Sequence, residues 1–93
     1  MKAVWQGVTL AESDATRVVE NNHYFPPEAL RREHVRESKT QTICGWKGVA
    51  SCYDVVVADD VNEDAAWYYP RTKEAAREIE GYVAFWRGVE IVE

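Results

Sequence analysis

The chain has 93 residues, of which 46% are hydrophobic and 29% are charged, and its aromatic residues include four Trp and five Tyr. This length predicts a single domain over residues 1–93, and the aromatic content argues against disorder. Eleven basic and sixteen acidic residues give a net charge of −5, which argues against a nucleic acid polymer or a membrane as partner. The N-terminal residues lack the apolar run of a signal peptide, so we expect a cytoplasmic protein.

The N-terminal quarter predicts three short strands. Residues 2–6 and 8–11 form the first two, on either side of Gly7. Residues 16–21 alternate and are rich in β-forming types, which predicts the third strand, ended by Asn21 and Asn22.

A proline-rich segment follows. Phe25 and Pro26 each precede a proline and are therefore extended, whereas Pro27 is suited to the first turn of a short helix. Residues 31–39 are nearly all polar, which predicts a solvated loop or a frayed helix end.

The centre of the chain predicts the main β structure. Gly45 and Gly48 are expected to bend or bulge the chain before a long strand over residues 49–58. Residues 59–64 then form an acidic hairpin loop, and residues 65–69 form the returning strand.

The C-terminal part begins with the clearest helix signal, over residues 73–80, with Gly81 at its end. Residues 82–86 predict a strand, and residues 89–92 are expected to pair back across a turn at Arg87 and Gly88. Many short strands with one or two short helices predict an α+β domain that is mainly β.

The sequence predicts no metal site and no cofactor. Cys44 and Cys52 are eight residues apart, and neither His23 nor His34 completes a set with zinc-ligand spacing. The acidic loop fails the calcium pattern, because Ala65 and Arg71 stand where that pattern needs Gly and Glu. We therefore expect two free thiols.

Strand alternation points to one polar cluster. Val18 and Glu20 share a face of their strand, and Lys47 shares a face with Tyr53 if no bulge intervenes at Gly48. A buried Lys or Glu is costly unless it is paired, so Glu20 and Lys47 are expected to meet. That pair is either a structural ion pair or the polar floor of a pocket, for which the candidate aromatic walls are Trp67, Tyr69 and Phe85.

Five stretches, taken in order, resemble the small family known as domain of unknown function 427, sometimes labelled nucleotidyltransferase-like. They are Val18-Val19-Glu20, Tyr24-Phe25-Pro26-Pro27-Glu28, Cys44-Gly45-Trp46-Lys47-Gly48 with Tyr53 beyond it, Ala66-Trp67-Tyr68-Tyr69-Pro70, and Gly81-Tyr82-Val83-Ala84-Phe85-Trp86. The resemblance covers roughly residues 3–92.

The resemblance implies a fold of two packed antiparallel sheets, a β-tent-like architecture. It also implies a ligand-binding cluster at Glu20, Tyr24, Cys44, Lys47, Tyr53 and Trp67. It implies no particular reaction, and whether the chain is an enzyme stays open at this point.

Three functions follow from these residues. The favoured one is a module that binds an unknown small molecule between aromatic walls, with Lys47 fixing an anionic or carbonyl group. The second is an enzyme acting on a nucleotide or another phosphorylated molecule, with Glu20, Lys47 and Cys44 as catalytic candidates and Lys47 as a base if its pKa is lowered. The third is an interaction domain, with Tyr24-Phe25-Pro26-Pro27 and Trp86 exposed for a partner, and the chain itself a monomer or a weak homodimer.

Overall fold

The computed structural model describes all residues from Met1 to Glu93. It is mainly β, as predicted, with three short 3-10 helices at Pro27–Ala29, Arg32–His34 and Glu74–Ile79. None of these helices is long or apolar enough to cross a membrane. The nine strands are β1 (Lys2–Trp5), β2 (Val8–Glu12), β3 (Arg17–Val19), β4 (Asn22–Tyr24), β5 (Val35–Cys44), β6 (Gly48–Val57), β7 (Asp60–Tyr68), β8 (Val83–Phe85) and β9 (Glu90–Val92).

The strands form three antiparallel sheets rather than two. One has the order β2-β1-β9, one is the hairpin β3-β4, and the largest has the order β5-β6-β7-β8. The hairpin is tied to the largest sheet because Phe25 and Val83 exchange backbone hydrogen bonds of 2.8 and 2.9 Å. The expected arrangement of two packed sheets is thus found only in part.

Two apolar clusters form the core. The larger joins the three-stranded and four-stranded sheets through buried residues such as Leu10, Phe25 and Val55. The smaller lies on the opposite face of the four-stranded sheet, where Tyr24, Tyr69 and Ile79 pack together. This second cluster lies next to the polar residues described below.

Three predicted elements differ from the structure. Residues 31–39 are not a loop throughout, because β5 begins at Val35; its side chains stay mostly exposed because it is an edge strand. The predicted acidic loop is a two-residue turn at Ala58 and Asp59, and residues 60–64 already belong to β7. Strand β9 does not pair back on β8 but joins β1, which closes the N-terminal sheet.

The strand predicted over residues 16–21 ends at Val19. Glu20 and Asn21 have positive φ angles of 53° and 66° and form the two-residue turn between β3 and β4. Two positive φ angles are what a tight hairpin of this twist requires. The chain therefore reverses at Glu20, and this residue does not continue a strand face: Val18 is 58% exposed.

Candidate functional site

Lys47 lies in the three-residue turn, Gly45 to Lys47, that connects β5 and β6. Lys73 donates two hydrogen bonds to carbonyl groups of this turn. Its backbone N–H donates to the Lys47 carbonyl at 3.0 Å, and its Nζ donates to the Gly45 carbonyl at 2.6 Å. The turn is therefore fixed by backbone contacts as well as by its own strands.

Gly48 allows this close approach. Its φ is +121°, and a Cβ built on it would lie 3.0 Å from the Arg71 carbonyl oxygen. A side chain would clash with backbone there. Gly48 also breaks the predicted alternation of β6, because Val49 is exposed whereas Lys47 is buried. Lys47 therefore does not share a continuous face with Val49 and Tyr53.

Glu20 and Lys47 meet, as the sequence predicts. Nζ of Lys47 donates to Oε1 of Glu20. The partners are unequally buried, since the Lys47 side chain is 8% exposed and the Glu20 side chain 53%. The ammonium also lies 5.1 Å from the ring centre of Trp46 and 5.7 Å from that of Tyr69, distances at which aromatic faces attract a cation.

The pair keeps both groups charged. Burial opposes the charge on Lys47, but the hydrogen bond to Glu20 and the nearby Tyr24 and Tyr69 outweigh it and raise the pKa of Lys47. The hydrogen bond from Lys47 lowers the pKa of Glu20. A lysine base must be deprotonated near neutral pH, so the pKa shift is opposite to the one that the base role of Lys47 requires.

A pocket of about 200 Å³ opens beside the ammonium. We call it the Lys47 pocket. Its aromatic walls are Tyr24, Trp67, Tyr69 and Trp86. Neighbouring rings meet edge to face: Tyr24 and Trp67 have centroids 6.1 Å apart, and Trp67 and Trp86 have centroids 5.8 Å apart. These rings lead from buried Tyr24 to Trp86, which is half exposed.

Several polar groups of the Lys47 pocket can donate hydrogen bonds. Nε1 of Trp67 donates to the Tyr24 hydroxyl at 3.2 Å, which leaves the hydroxyl proton of Tyr24 free to donate. Burial raises the pKa of both Tyr24 and Tyr69, so both phenols stay protonated at neutral pH. The remaining lining residues are Asn22, Thr42, Cys52 and Lys47.

Cys44 lies next to the pocket but does not line it. Burial acts to raise the pKa of its thiol, yet hydrogen bonds from the backbone N–H groups of Trp46 and Lys47, together with the Lys47 charge, lower it overall. Cys52 shows the opposite shift, because burial raises its pKa. Both thiols are free.

The structure brings together some of the predicted site residues and separates others. Tyr24, Lys47 and Trp67 line one pocket, and Glu20 and Cys44 contact or neighbour Lys47. Tyr53 lies in the larger core cluster, where it stacks on Tyr68 with centroids 4.6 Å apart and accepts a hydrogen bond from Arg32.

One of the three candidate walls also lies elsewhere. Tyr69 and Trp67 line the Lys47 pocket, but Phe85 packs against Phe25 in the larger cluster. Sequence reasoning missed Asn22, Thr42, Cys52 and Trp86 as lining residues. Alternation within β6 could have indicated Cys52, because it lies on the face opposite to Val49 and Tyr53, and Cys52 lines the pocket.

The apolar patch considered for an interaction domain is not exposed as expected. Tyr24 and Phe25 are fully buried, and only Trp86 is half exposed. For metals, no group of three His, Cys, Asp or Glu side chains lies close enough together to hold an ion.

Comparison with known proteins gives a family but no activity. A family model described as Domain of unknown function (DUF427) matches residues 1–93. No curated protein matches the chain.

Proposed function

Because the chain belongs to the domain of unknown function 427 family, whose description gives no activity, we propose a function from its site: the protein binds a small molecule in the Lys47 pocket. The observation that carries this proposal is a buried ammonium that borders an open aromatic pocket. Lys47 is 6% exposed, and it is one of the residues that line the pocket.

A purely structural ion pair does not need such surroundings. Burying a lysine is unfavourable, and an apolar residue of similar size often stabilises a fold as well or better. Lys47 is nevertheless buried beside a cavity that its neighbours leave unfilled. Aromatic walls with a few converging polar groups are typical of ligand sites.

The turn that supplies Glu20 supports the same proposal. Glu20 has a φ of 53°, which is uncommon for a residue that is neither Gly nor Asn and is unfavourable by about 1 kcal/mol. Its position allows the carboxylate to reach Lys47 from outside the pocket. Glu20 thereby stabilises the charge of Lys47 without occupying the pocket that Lys47 lines.

A β-tent-like architecture belongs to the same proposal. The three-stranded and four-stranded sheets pack around one core, which supports it. In this arrangement the pocket lies outside that core, beside the smaller cluster. Ligand binding would then leave the main core undisturbed.

Thermal unfolding with a panel of small molecules tests the proposal. The panel contains planar carboxylates, amides, amines, sugar phosphates and nucleotides. A ligand present at 100 times its dissociation constant adds about 2.7 kcal/mol of stability, which raises the melting temperature of a domain this small by several degrees. We expect at least one compound to produce such a rise.

Two lysine variants locate the binding. Lys47→Met removes the ammonium at the pocket, whereas Lys39→Met removes one from the exposed edge strand β5. We expect the rise to disappear in Lys47→Met and to persist in Lys39→Met. A panel without any rise in the wild-type protein, or a rise that survives in Lys47→Met, contradicts the proposal.

A further inference from the structure

We propose that the ligand of the Lys47 pocket is a planar monocarboxylate with a single ring, held with its carboxylate on Lys47 and its ring among the aromatic walls. This inference rests on the proposed function and names the chemical class of the ligand. Four features of the pocket carry it: its size, the sign of its charge, its single cation and its hydroxyl donors.

Size limits the ligand to about one ring. The pocket measures about 200 Å³. An apolar cavity of about 150 Å³ holds benzene, and pockets for drug-sized ligands measure about 300–1,000 Å³. One ring with a small substituent therefore fits inside the pocket, whereas a base, a sugar and a phosphate together would extend beyond its opening.

The charge on the lining favours an anion. Lys47 is a lining residue, and no Asp or Glu is. Glu20 contacts Lys47 but is not among the lining residues. A cationic ligand would lie beside the Lys47 ammonium. Glu20 offsets part of that repulsion through its contact with Lys47, but it offers the ligand no carboxylate within the lining, and the aromatic walls would be the ligand's only attraction.

A single shared cation favours a carboxylate over a phosphate. Lys47 is the only charged residue of the lining, and it already donates to Glu20. An ammonium has three donors, so two remain for the ligand. A phosphate dianion is normally held by several cations or by backbone N–H groups. The two remaining donors of the Lys47 ammonium are enough for one carboxylate.

The hydroxyl groups complete the match. Of the two phenols that line the pocket, Tyr24 is fully buried with its hydroxyl bonded to Trp67, whereas Tyr69 retains a little exposed surface and is the one available to donate to a ligand oxygen. Burial keeps the phenols of Tyr24 and Tyr69 protonated. Donors of this kind are satisfied by an acceptor-only group such as an ionised carboxylate.

Four ligands with one common ring separate the alternatives: benzoate, benzamide, phenyl phosphate and benzylamine. Their dissociation constants are measured by titration calorimetry on the whole chain, with Lys47→Met and Lys39→Met as the matched variants. We expect benzoate to bind about tenfold tighter than each of the other three, because a charge-assisted hydrogen bond is lost or mismatched in them. We expect Lys47→Met to remove this preference and Lys39→Met to retain it.

Glu20→Gln provides a second test, which is informative even if the Lys47→Met variant does not fold. This variant retains the ammonium and removes the carboxylate that competes for it. Benzoate should bind it at least as tightly as it binds the wild-type protein. Weaker binding of benzoate to Glu20→Gln contradicts the inference.

The outcomes distinguish this inference from the proposed function. Tightest binding of phenyl phosphate, benzamide or benzylamine overturns the carboxylate class but leaves a ligand site. Failure of all four, while another compound of the wider panel binds in a Lys47-dependent way, also overturns only the inference. A wider panel without any binding overturns the proposed function itself.

Discussion

The Lys47 ammonium, almost completely buried, donates to the carboxylate of Glu20, which stands half exposed at the tip of the β3–β4 hairpin. The two residues are 27 positions apart, and two tight turns bring them together. The pair thus links two sheets at the edge of the pocket. Its asymmetric burial leaves one side of the cation facing the aromatic walls.

Glu20→Gln should lower the stability of the protein in a pH-dependent way. Because the pKa of Glu20 is lowered from its ordinary value of 4.5, its contribution is present above that value and is lost as the pH falls through the lower folded-state pKa. Urea unfolding at several pH values should show a stability gap at pH 7 that closes in acid. Glu12→Gln is the control, since Glu12 forms only half-exposed pairs, with Lys2 at 4.0 Å and with Arg31 at 3.9 Å. Equal pH dependence in the two variants would count against the account.

Gly48→Ala should destabilise the protein by about 1–3 kcal/mol, because the new Cβ meets the Arg71 carbonyl and the φ of +121° is strained for Ala. Gly45→Ala is the matched control in the same turn. A Cβ there meets nothing within 4 Å, so its effect should stay within about 0.5 kcal/mol. Urea denaturation measures both, and similar losses in the two variants would show that the close approach at Gly48 is unimportant.

Cys44 should react with iodoacetamide at pH 7.5 about tenfold faster than Cys52, because it is more exposed and its pKa is lowered whereas that of Cys52 is raised. Mass spectrometry of digested protein follows both thiols in one sample. Lys47→Met should slow the reaction of Cys44, since the Lys47 charge helps to lower its pKa. Equal rates at the two cysteines would refute this prediction.

Tyr24→Phe should weaken ligand binding, and Tyr53→Phe should not. Each substitution removes a hydroxyl that accepts one hydrogen bond, from Trp67 at 3.2 Å or from Arg32 at 3.1 Å. Each is therefore expected to lower stability by about 1 kcal/mol. Only Tyr24 lines the pocket, where its hydroxyl holds the indole of the wall residue Trp67 by a hydrogen bond. Calorimetric titration of both variants with the best ligand of the panel decides the matter: an equal loss of affinity would mean that the pocket is not the binding site.

Local patterns predicted much of the fold. The strands β1, β2, β6 and β8 and the return of β7 follow from runs of β-forming residues between turn signals. Strand β5 was not predicted over its full length. This edge strand is mostly exposed and has polar residues on both faces, so its sequence lacks the alternation of apolar and polar residues that indicates a strand. Pairing of β9 with β1 depends on contacts between the two ends of the chain, which local patterns do not contain.

The candidate site was predictable to a smaller extent. Because burying an unpaired charge is unfavourable, we predicted that Glu20 and Lys47 form a pair, and the structure confirms it. The reasoning about strand faces that led there was wrong in both strands, because Glu20 lies in a turn and Gly48 interrupts the alternation. The same interruption explains why Cys52 was missed and why Tyr53 lies away from the pocket.

The indole N–H signals of the four Trp residues test the central claim most directly, because they report on position as well as on binding. Trp67 and Trp86 line the Lys47 pocket, whereas Trp5 lies in β1 of the N-terminal sheet. Proton–nitrogen spectra are recorded with each class of the panel, beginning with benzoate. The account predicts that a compound shifts the signals of Trp67 and Trp86 but not that of Trp5, and that Lys47→Met abolishes these shifts. Unmoved signals throughout the panel, or shifts confined to Trp5, would contradict it.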